Sequence, residues 1–300
     1  MDLIICNTPF QAIQIENLIK KEIIKEFELF FFCYEETEQM LFYYNKLRSY
    51  SKCSKFYVCN KRFPLYFFDI KYIFGNKKYG NIYTASVECI YTHLILSYSS
   101  FGKLFTFDDG SANFINTSFY YVNKRSKFAS IIYRVFGCKY DLFKTKGLIN
   151  KHYTIYPNFE NISNNIEVVD FCFSYHQIKK GDKESVDVLL GTVYKEITKQ
   201  SDDLIKKIGN FFEDENFYYI PHPRDTEKYF KNGILIDGVE IAEIKILKLL
   251  EVYKKINVYG FNSTAQVNLS NLENVSNFCF KSELIERDFD VKYNYKDVEI

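Results

Sequence analysis

Short apolar runs closed by polar turns alternate with helix-length amphipathic stretches along most of the chain. Leu3-Ile4-Ile5-Cys6 is a continuous apolar run that predicts a buried strand. Asn7-Thr8-Pro9 breaks it, and residues 10–24, with Ile13, Leu18 and Ile19 apolar, predict a helix. Residues 28–33, 55–58, 81–84 and 103–107 predict further strands with helices between them, the alternation of a parallel open sheet. The pattern loosens between Asn113 and Lys151, and residues 153–164, with Pro157 and several Asn, are the candidate linker. A second series follows, with strands at 186–190, 217–220, 234–236, 256–259 and 278–280 and helices at 196–212 and 239–254. The expectation is an α/β protein of two Rossmann-like domains with a ligand cleft between them, an N-terminal one over 1–155 and a C-terminal one over 165–285, with 286–300 as a tail.

Composition narrows the class. With 47% hydrophobic and 26% charged residues the chain can bury a core, which excludes a disordered or low-complexity protein. A net charge of +1 and the lack of any recognisable nucleic-acid motif argue against a nucleic-acid binder. The average hides a split: residues 1–157 hold 21 Lys/Arg against 13 Asp/Glu, whereas 158–300 hold 18 against 25. Bases cluster at 46–78, with Asp69 the one acid, and at 124–151, with Asp141 the one acid. Such a face suits attraction to an anionic surface or acceptor, or simple solvation. The eight cysteines form no C-x-x-C pair and several lie in strand-like runs, so they read as reduced core residues. His93, His152, His176 and His222 are too dispersed for a zinc site, and no metal is expected. Neither a leader nor an apolar run near twenty residues is visible, so the expected location is the cytoplasm.

In open α/β sheets ligands bind beyond the carboxyl ends of the strands, which directs attention to five loops. Thr106-Phe107-Asp108-Asp109-Gly110-Ser111 carries two adjacent carboxylates; in a cleft one pKa would rise, which suits a general base. An Asx turn would explain one Asp more easily than both. Ile220-Pro221-His222-Pro223-Arg224-Asp225 holds a histidine between two prolines with a guanidinium nearby, able to donate to a phosphate. Leu189-Leu190-Gly191-Thr192 and Tyr259-Gly260-Phe261-Asn262-Ser263-Thr264-Ala265 each end a strand with glycine and hydroxyls, fit for phosphate oxygens or for helix capping. Asn7-Thr8-Pro9 is the fifth. Neither a P-loop nor a G-x-G-x-x-G after the first strand is present, and an Asp-x-Asp metal motif is absent.

Asp108-Asp109-Gly110 together with His222-Pro223 resembles the paired acidic and His-Pro motifs of bacterial sialyltransferases, and the surrounding sequence is most similar to glycosyltransferase family 52, the lipooligosaccharide sialyltransferases. The 106–113 block, His152-Tyr153-Thr154-Ile155, Leu189 to Thr192 with Lys195-Glu196, Pro221 to Arg224, and 259–265 follow that family's order at similar spacing. The resemblance implies a GT-B fold, CMP-sialic acid as donor, a galactose-ended surface glycan of lipooligosaccharide or capsule as acceptor, no metal or other cofactor, and inversion at the anomeric carbon. It makes His222 the general acid for CMP departure, with Ser263 and Thr264 on its phosphate. Thr8, Gly191, Thr192, Pro223 and Arg224 would line the CMP-sugar site, and Glu243 would take the ribose hydroxyls. Asp108, Gly110 and Asn113 fall on the acceptor side.

One departure concerns the base. Lipooligosaccharide members carry an Asp three residues after the Gly of the Leu-Leu-Gly block, whereas this chain has Tyr194. Asp109 is the first choice for the base and Glu196 the second. A second departure is the lack of the amino-terminal anchor of some relatives, for which the basic and aromatic clusters would substitute as a peripheral membrane contact. Relatives also suggest a homodimer. The competing expectations are another sugar transfer on this scaffold, such as glucosyl transfer from a UDP-sugar, and a non-catalytic GT-B module.

Overall fold

The computed structural model describes residues 1–123, 125–171, 181–213, 216–225, 227, 229–230, 232–286 and 293–300. The chain divides into two units, Met1–Phe173 and Ser174–Ile300.

The first unit runs β1 (Asp2–Cys6), α1 (Pro9–Lys20), β2 (Phe27–Cys33), α2 (Glu38–Arg48), β3 (Cys53–Val58), α3 (Leu65–Phe74), β4 (Lys78–Thr84), α4 (Ile90–Tyr98), β5 (Ser100–Phe107), α5 (Lys127–Val135), α6 (Leu142–Lys146), β6 (Ile149–Thr154) and β7 (Ile166–Val168). Its strands lie in the order β3-β2-β1-β4-β5-β6-β7 and every pairing is parallel. Helices cover both faces of such a sheet, so β1 and β2 read as nearly continuous apolar runs rather than alternating. All seven residues of β2, Phe-Glu-Leu-Phe-Phe-Phe-Cys, are buried. Glu28 is tolerated there because Lys77 Nζ (2.6 Å) and Tyr79 Oη (3.0 Å) satisfy its carboxylate. Without tryptophan, the core fills its volume with phenylalanine edges: Phe30 meets Phe74 at 5.0 Å between centroids and 87° between planes.

The second unit runs β8 (Lys183–Leu190), α7 (Ser201–Phe211), β9 (Phe217–Ile220), β10 (Ile234–Leu235), α8 (Ala242–Leu249), β11 (Tyr253–Gly260), α9 (Thr264–Leu269), β12 (Val275–Lys281) and β13 (Lys296–Glu299). Its sheet is ordered β10-β9-β8-β11-β12-β13, again parallel. Counted within each unit, the first six strands share the order 3-2-1-4-5-6 of the Rossmann fold, and the order reverses between β1 and β4 and between β8 and β11. Those two reversals are where ligands bind in such sheets. The α/β class and the two Rossmann-like halves expected from sequence are what the chain adopts.

Several expectations need correction. The stretch 153–164 belongs inside the first unit: Tyr153 and Thr154 close β6, Ile155, Tyr156 and Ile162 are buried, and β7 follows in the same sheet. Its Pro and Asn residues make a turn-rich loop, but its apolar side chains tie that loop to the core. The division falls instead at Phe173. Residues 286–300 are not wholly a tail, because Lys296–Glu299 pairs with β12; three charged residues on an edge strand hid it. The helix expected at 196–212 begins at Ser201, and the one at 239–254 is confined to Ala242–Leu249 because Tyr253 already starts β11. Cys6, Cys33, Cys53, Cys59, Cys89, Cys138 and Cys279 are all free thiols, but Cys53 is exposed on the sheet edge rather than in the core; Cys172 and His176 lie outside the described residues.

Candidate active site

In the first unit the polar groups gather at the reversal between β1 and β4. Thr8 caps α1, its Oγ1 accepting the Gln11 N–H at 3.2 Å, and Pro9 supplies a helix-ready first residue that needs no amide donor. This cap aims the first turn of α1 at the end of β5. There Asp109 Oδ1 accepts from Gln11 Nε2 (2.7 Å) and from Thr8 Oγ1 (3.3 Å), while Oδ2 accepts from Tyr120 Oη (2.8 Å). Gln11 Nε2 also donates to Ser86 Oγ (3.0 Å), and the Asn7 N–H donates to Gln11 Oε1 (2.9 Å). One carboxamide thereby links the ends of β1, β4 and β5.

The backbone after β5 is shaped for the same end. Gly110 sits at φ +100°, where a Cβ would be strained, and Asn113 Oδ1 accepts the Asp109 N–H at 2.8 Å. Burial raises the Asp109 pKa, against the lowering effect of the Gln11, Tyr120 and Thr8 hydrogen bonds, and the nearby Asp108 adds to the rise. A carboxylate fixed by three donors yet more basic than usual is suited to take a proton. Glu88, just after β4, is raised to about 8 by burial and then by the Asp109 charge, and its Oε2 has no hydrogen-bond partner.

The two adjacent aspartates have separate fates. Asp108 is fully buried: Oδ1 pairs with His152 Nε2 at 3.0 Å and Oδ2 accepts the Ile155 N–H at 2.6 Å. His152 Nδ1 meets Thr106 Oγ1 at 2.8 Å. Asp108 thus joins the ends of β5 and β6, and its place on the acceptor side is corrected to a tie within the sheet. Both aspartates lie past the end of β5, and their side chains take different partners, Asp108 on the β6 side and Asp109 on α1. Asn113 is likewise buried, with Gly110 beside it, and acts through the Asp109 backbone.

In the second unit, Gly191 ends β8 against the Pro221-His222 turn that follows β9. Its N–H donates to Ile220 O at 2.8 Å, and a Cβ there would stand 2.9 Å from the His222 nitrogen and 3.0 Å from Tyr219 Oη. Only glycine permits that approach. His222 is half-buried, and its Nδ1 accepts the Arg224 N–H at 3.1 Å. A neutral ring held this way carries its proton on Nε2 and presents it as a donor. Burial first, and then the Arg224 charge, lower its pKa. Arg224, exposed beside Pro223, forks onto Glu196 at 2.7 and 3.1 Å.

The remaining residues fall into three settings. Ser263 caps α9 in a reciprocal box with Gln266, its Oγ accepting at 3.3 Å; its own proton remains available to donate, and Thr264 beside it is exposed. Thr192 follows Gly191 and is half-exposed. Glu243 is buried in the first turn of α8, accepts from Asn268 Nδ2 at 2.7 Å, and is raised in pKa by burial, so its carboxylate faces α9. Tyr194, where the family pattern has Asp, is 1% exposed and meets Tyr229 and Phe261 edge-on; its phenol has no hydrogen-bond partner and burial pushes its pKa far up. It is a core residue, unfit to act as a base. Glu196 lies in a 3-10 turn, Tyr194–Glu196, rather than on a helix, and its carboxylate is already engaged by Arg224.

The structure therefore gathers Thr8 and Asp109 in the first unit and Gly191, His222, Arg224 and Glu196 in the second. It adds Gln11, Ser86, Glu88 and Tyr120, which sequence reasoning missed. Ser86 and Glu88 follow a predicted strand end, so the rule that found the other loops also reaches them. Gln11 and Tyr120 gave no such signal, since only the fold turns them toward Asp109. Among the described residues no group of three or more His, Cys, Asp or Glu could hold a metal ion.

The family model described as Glycosyltransferase family 52 matches residues 25–283. A CMP-N-acetylneuraminate:beta-galactoside alpha-2,3-sialyltransferase of Pasteurella multocida is 28% identical over 99% of this chain and 96% of its own length. An N-acetyllactosaminide alpha-2,3-sialyltransferase of Haemophilus influenzae is 29% identical over 92% and 90%. One of the same description from Neisseria meningitidis is 25% identical over 98% and 82%.

Proposed function

The chain belongs to glycosyltransferase family 52, and from that premise we propose that it is a sialyltransferase moving sialic acid from CMP-sialic acid onto a terminal galactose of a bacterial surface glycan, lipooligosaccharide or capsule, through an α-2,3 bond. The observation that carries this reading is that relatives aligning over nearly the whole chain are described as alpha-2,3-sialyltransferases. The strand-end chemistry agrees with it: a basic, pre-positioned carboxylate in one unit and a histidine with its Nε2 proton available in the other.

In this reading Asp109 takes the proton from the galactose hydroxyl as that oxygen attacks the anomeric carbon of sialic acid. The bond to the CMP phosphate breaks on the opposite side, so configuration inverts. His222 donates a hydrogen bond from Nε2 to the departing phosphate, Ser263 and Thr264 hold it by their hydroxyls, and Thr192 and the Gly191-Pro223 turn shape its surroundings. Arg224 adds charge once it exchanges Glu196 for phosphate. The negative charge left on the departing phosphate would be met by His222, Arg224, Ser263 and Thr264, so in this reading the reaction needs no metal or other cofactor.

The test is CMP release from CMP-sialic acid, with and without lactose, in EDTA. Lactose-stimulated release supports donor, reaction class and metal independence together. Tyr194 in place of the family's acid motivates the one competing reading: no release, with turnover of a UDP-sugar instead, would assign a different sugar to the same scaffold.

A further inference from the structure

Helix α5 has no buried residue although it belongs to a folded unit. Its inner side is anchored, Tyr133 packing on Phe67 at 5.1 Å and the Arg125 guanidinium lying 5.0 Å over the Tyr133 ring. Its outer side is apolar as well: Phe128, Ile131 and Val135, spaced three and four residues apart on one stripe, are 73%, 64% and 80% exposed. Helix α3 repeats the pattern, with Leu65, Phe68 and Tyr72 at the same spacing and 57%, 56% and 91% exposed. The stripes adjoin, because Phe68 meets Phe136 at 6.0 Å and shares a shallow pocket with Val135 and Lys71. A helix in water ordinarily turns such a stripe to the core; here two neighbouring helices turn one outward.

Charge identifies what covers it. Between Phe119 and Leu148 the sequence holds seven bases and a single acid, Asp141, which caps α6 by accepting the Lys144 N–H. Around α3 the one acid, Asp69, is neutralised by Lys61 at 2.6 Å. Lys127 and Arg134 stand exposed on α5 beside the stripe. Apolar side chains rimmed by bases, with the acids consumed locally, is the pattern of a helix lying in the plane of an anionic bilayer, its apolar side among the acyl chains and its bases at the headgroups. The same face of a second copy offers no comparable complement, because it would set bases against bases.

We propose that the outer faces of α3 and α5 form a peripheral docking surface for an anionic lipid bilayer. Among the described residues no helix is long and apolar enough to cross a membrane, so this surface lays the first unit on a bilayer rather than through it. The proposal does not depend on the sugar transferred.

The test is co-sedimentation of the full chain with phosphatidylcholine vesicles carrying about 30% phosphatidylglycerol, and with phosphatidylcholine alone, at about 0.1 M salt where headgroup charge still acts near the surface. Binding is expected on the anionic vesicles and at least about tenfold weaker on the neutral ones. F128S/I131S/V135S should lose about tenfold or more, and K127E/R134E at least about fivefold for each base. These side chains are exposed, so unchanged thermal melts of both variants serve as the folding control. Equal binding to the two vesicle types, wild-type binding by the serine variant, or no binding at all overturns the proposal. So does a dimer of the wild-type chain in lipid-free solution that the serine variant converts to monomers, which would assign the face to a second copy.

Discussion

The two units share a strand order and differ in what stands at the reversal of that order. In the first, Thr8, Gln11, Ser86 and Tyr120 enclose Asp109 in a closed set of hydrogen bonds. In the second, His222 is half-buried, Arg224 is exposed, and the ion pair to Glu196 faces solvent, where such a fork is worth about 0–1 kcal/mol. Topology thus fixes where a ligand can sit and leaves open what is done to it. In the proposed reading, the base that must hold one geometry is built from donors already in place, whereas the phosphate-binding end keeps a pair that a phosphate can displace at little cost.

The sharpest way to break this comparison is to remove the proposed base. Asp109→Asn should lower kcat about a thousandfold, since general base catalysis supplies 10²–10⁴-fold, with the melting temperature nearly unchanged because the amide oxygen still accepts from Gln11 or Tyr120. His222→Ala should cost about a hundredfold in transfer from CMP-sialic acid; a variant that kept full transfer would sink the assignment of the leaving-group donor. Third comes a test by pH. Native Glu88 keeps its proton up to about pH 8, whereas the unfolded chain releases it near 4.5, so the protein loses stability as pH rises through that window. Glu88→Gln should match wild type in thermal melts near pH 5 and exceed it above pH 8, by on the order of 3 kcal/mol.

Gly191→Ala pushes a methyl group against the backbone of the His222 turn and should destabilise by about 1–3 kcal/mol and raise the donor KM. Smallest is Glu196→Gln: kcat should stay within about threefold of wild type, because the lost pair is exposed. If Glu196→Gln abolished transfer while Asp109→Asn did not, the base would belong to the second unit and the contrast drawn above would reverse.

Much of this was legible in the sequence, for physical reasons that mark its limits. Continuous apolar runs such as Phe30-Phe31-Phe32 announce central parallel strands because both sheet faces are covered. The edge strands β7 and β13 carry no such run: Ile166 and Val168 are partly solvated and three of four β13 residues are charged. Asp109 and His222 stand out in the sequence because each lies two residues past a strand end. Asp108 is tied to His152 and to the Ile155 N–H, partners 44 and 47 residues away that a motif of two aspartates does not reveal. Gln11 was invisible as a site residue, for its role comes from partners 75 and 98 residues away.

The cap of α1 has a consequence for heat. Two of the three donors on Asp109, Thr8 and Gln11, belong to the N-cap and first turn of that helix, and helix ends open locally with far less free energy than whole domains. Opening of that buried turn would unfasten the proposed base with both sheets still intact. The temperature at which turnover declines should lie below the melting temperature, and amide exchange at the start of α1 should quicken over the same interval.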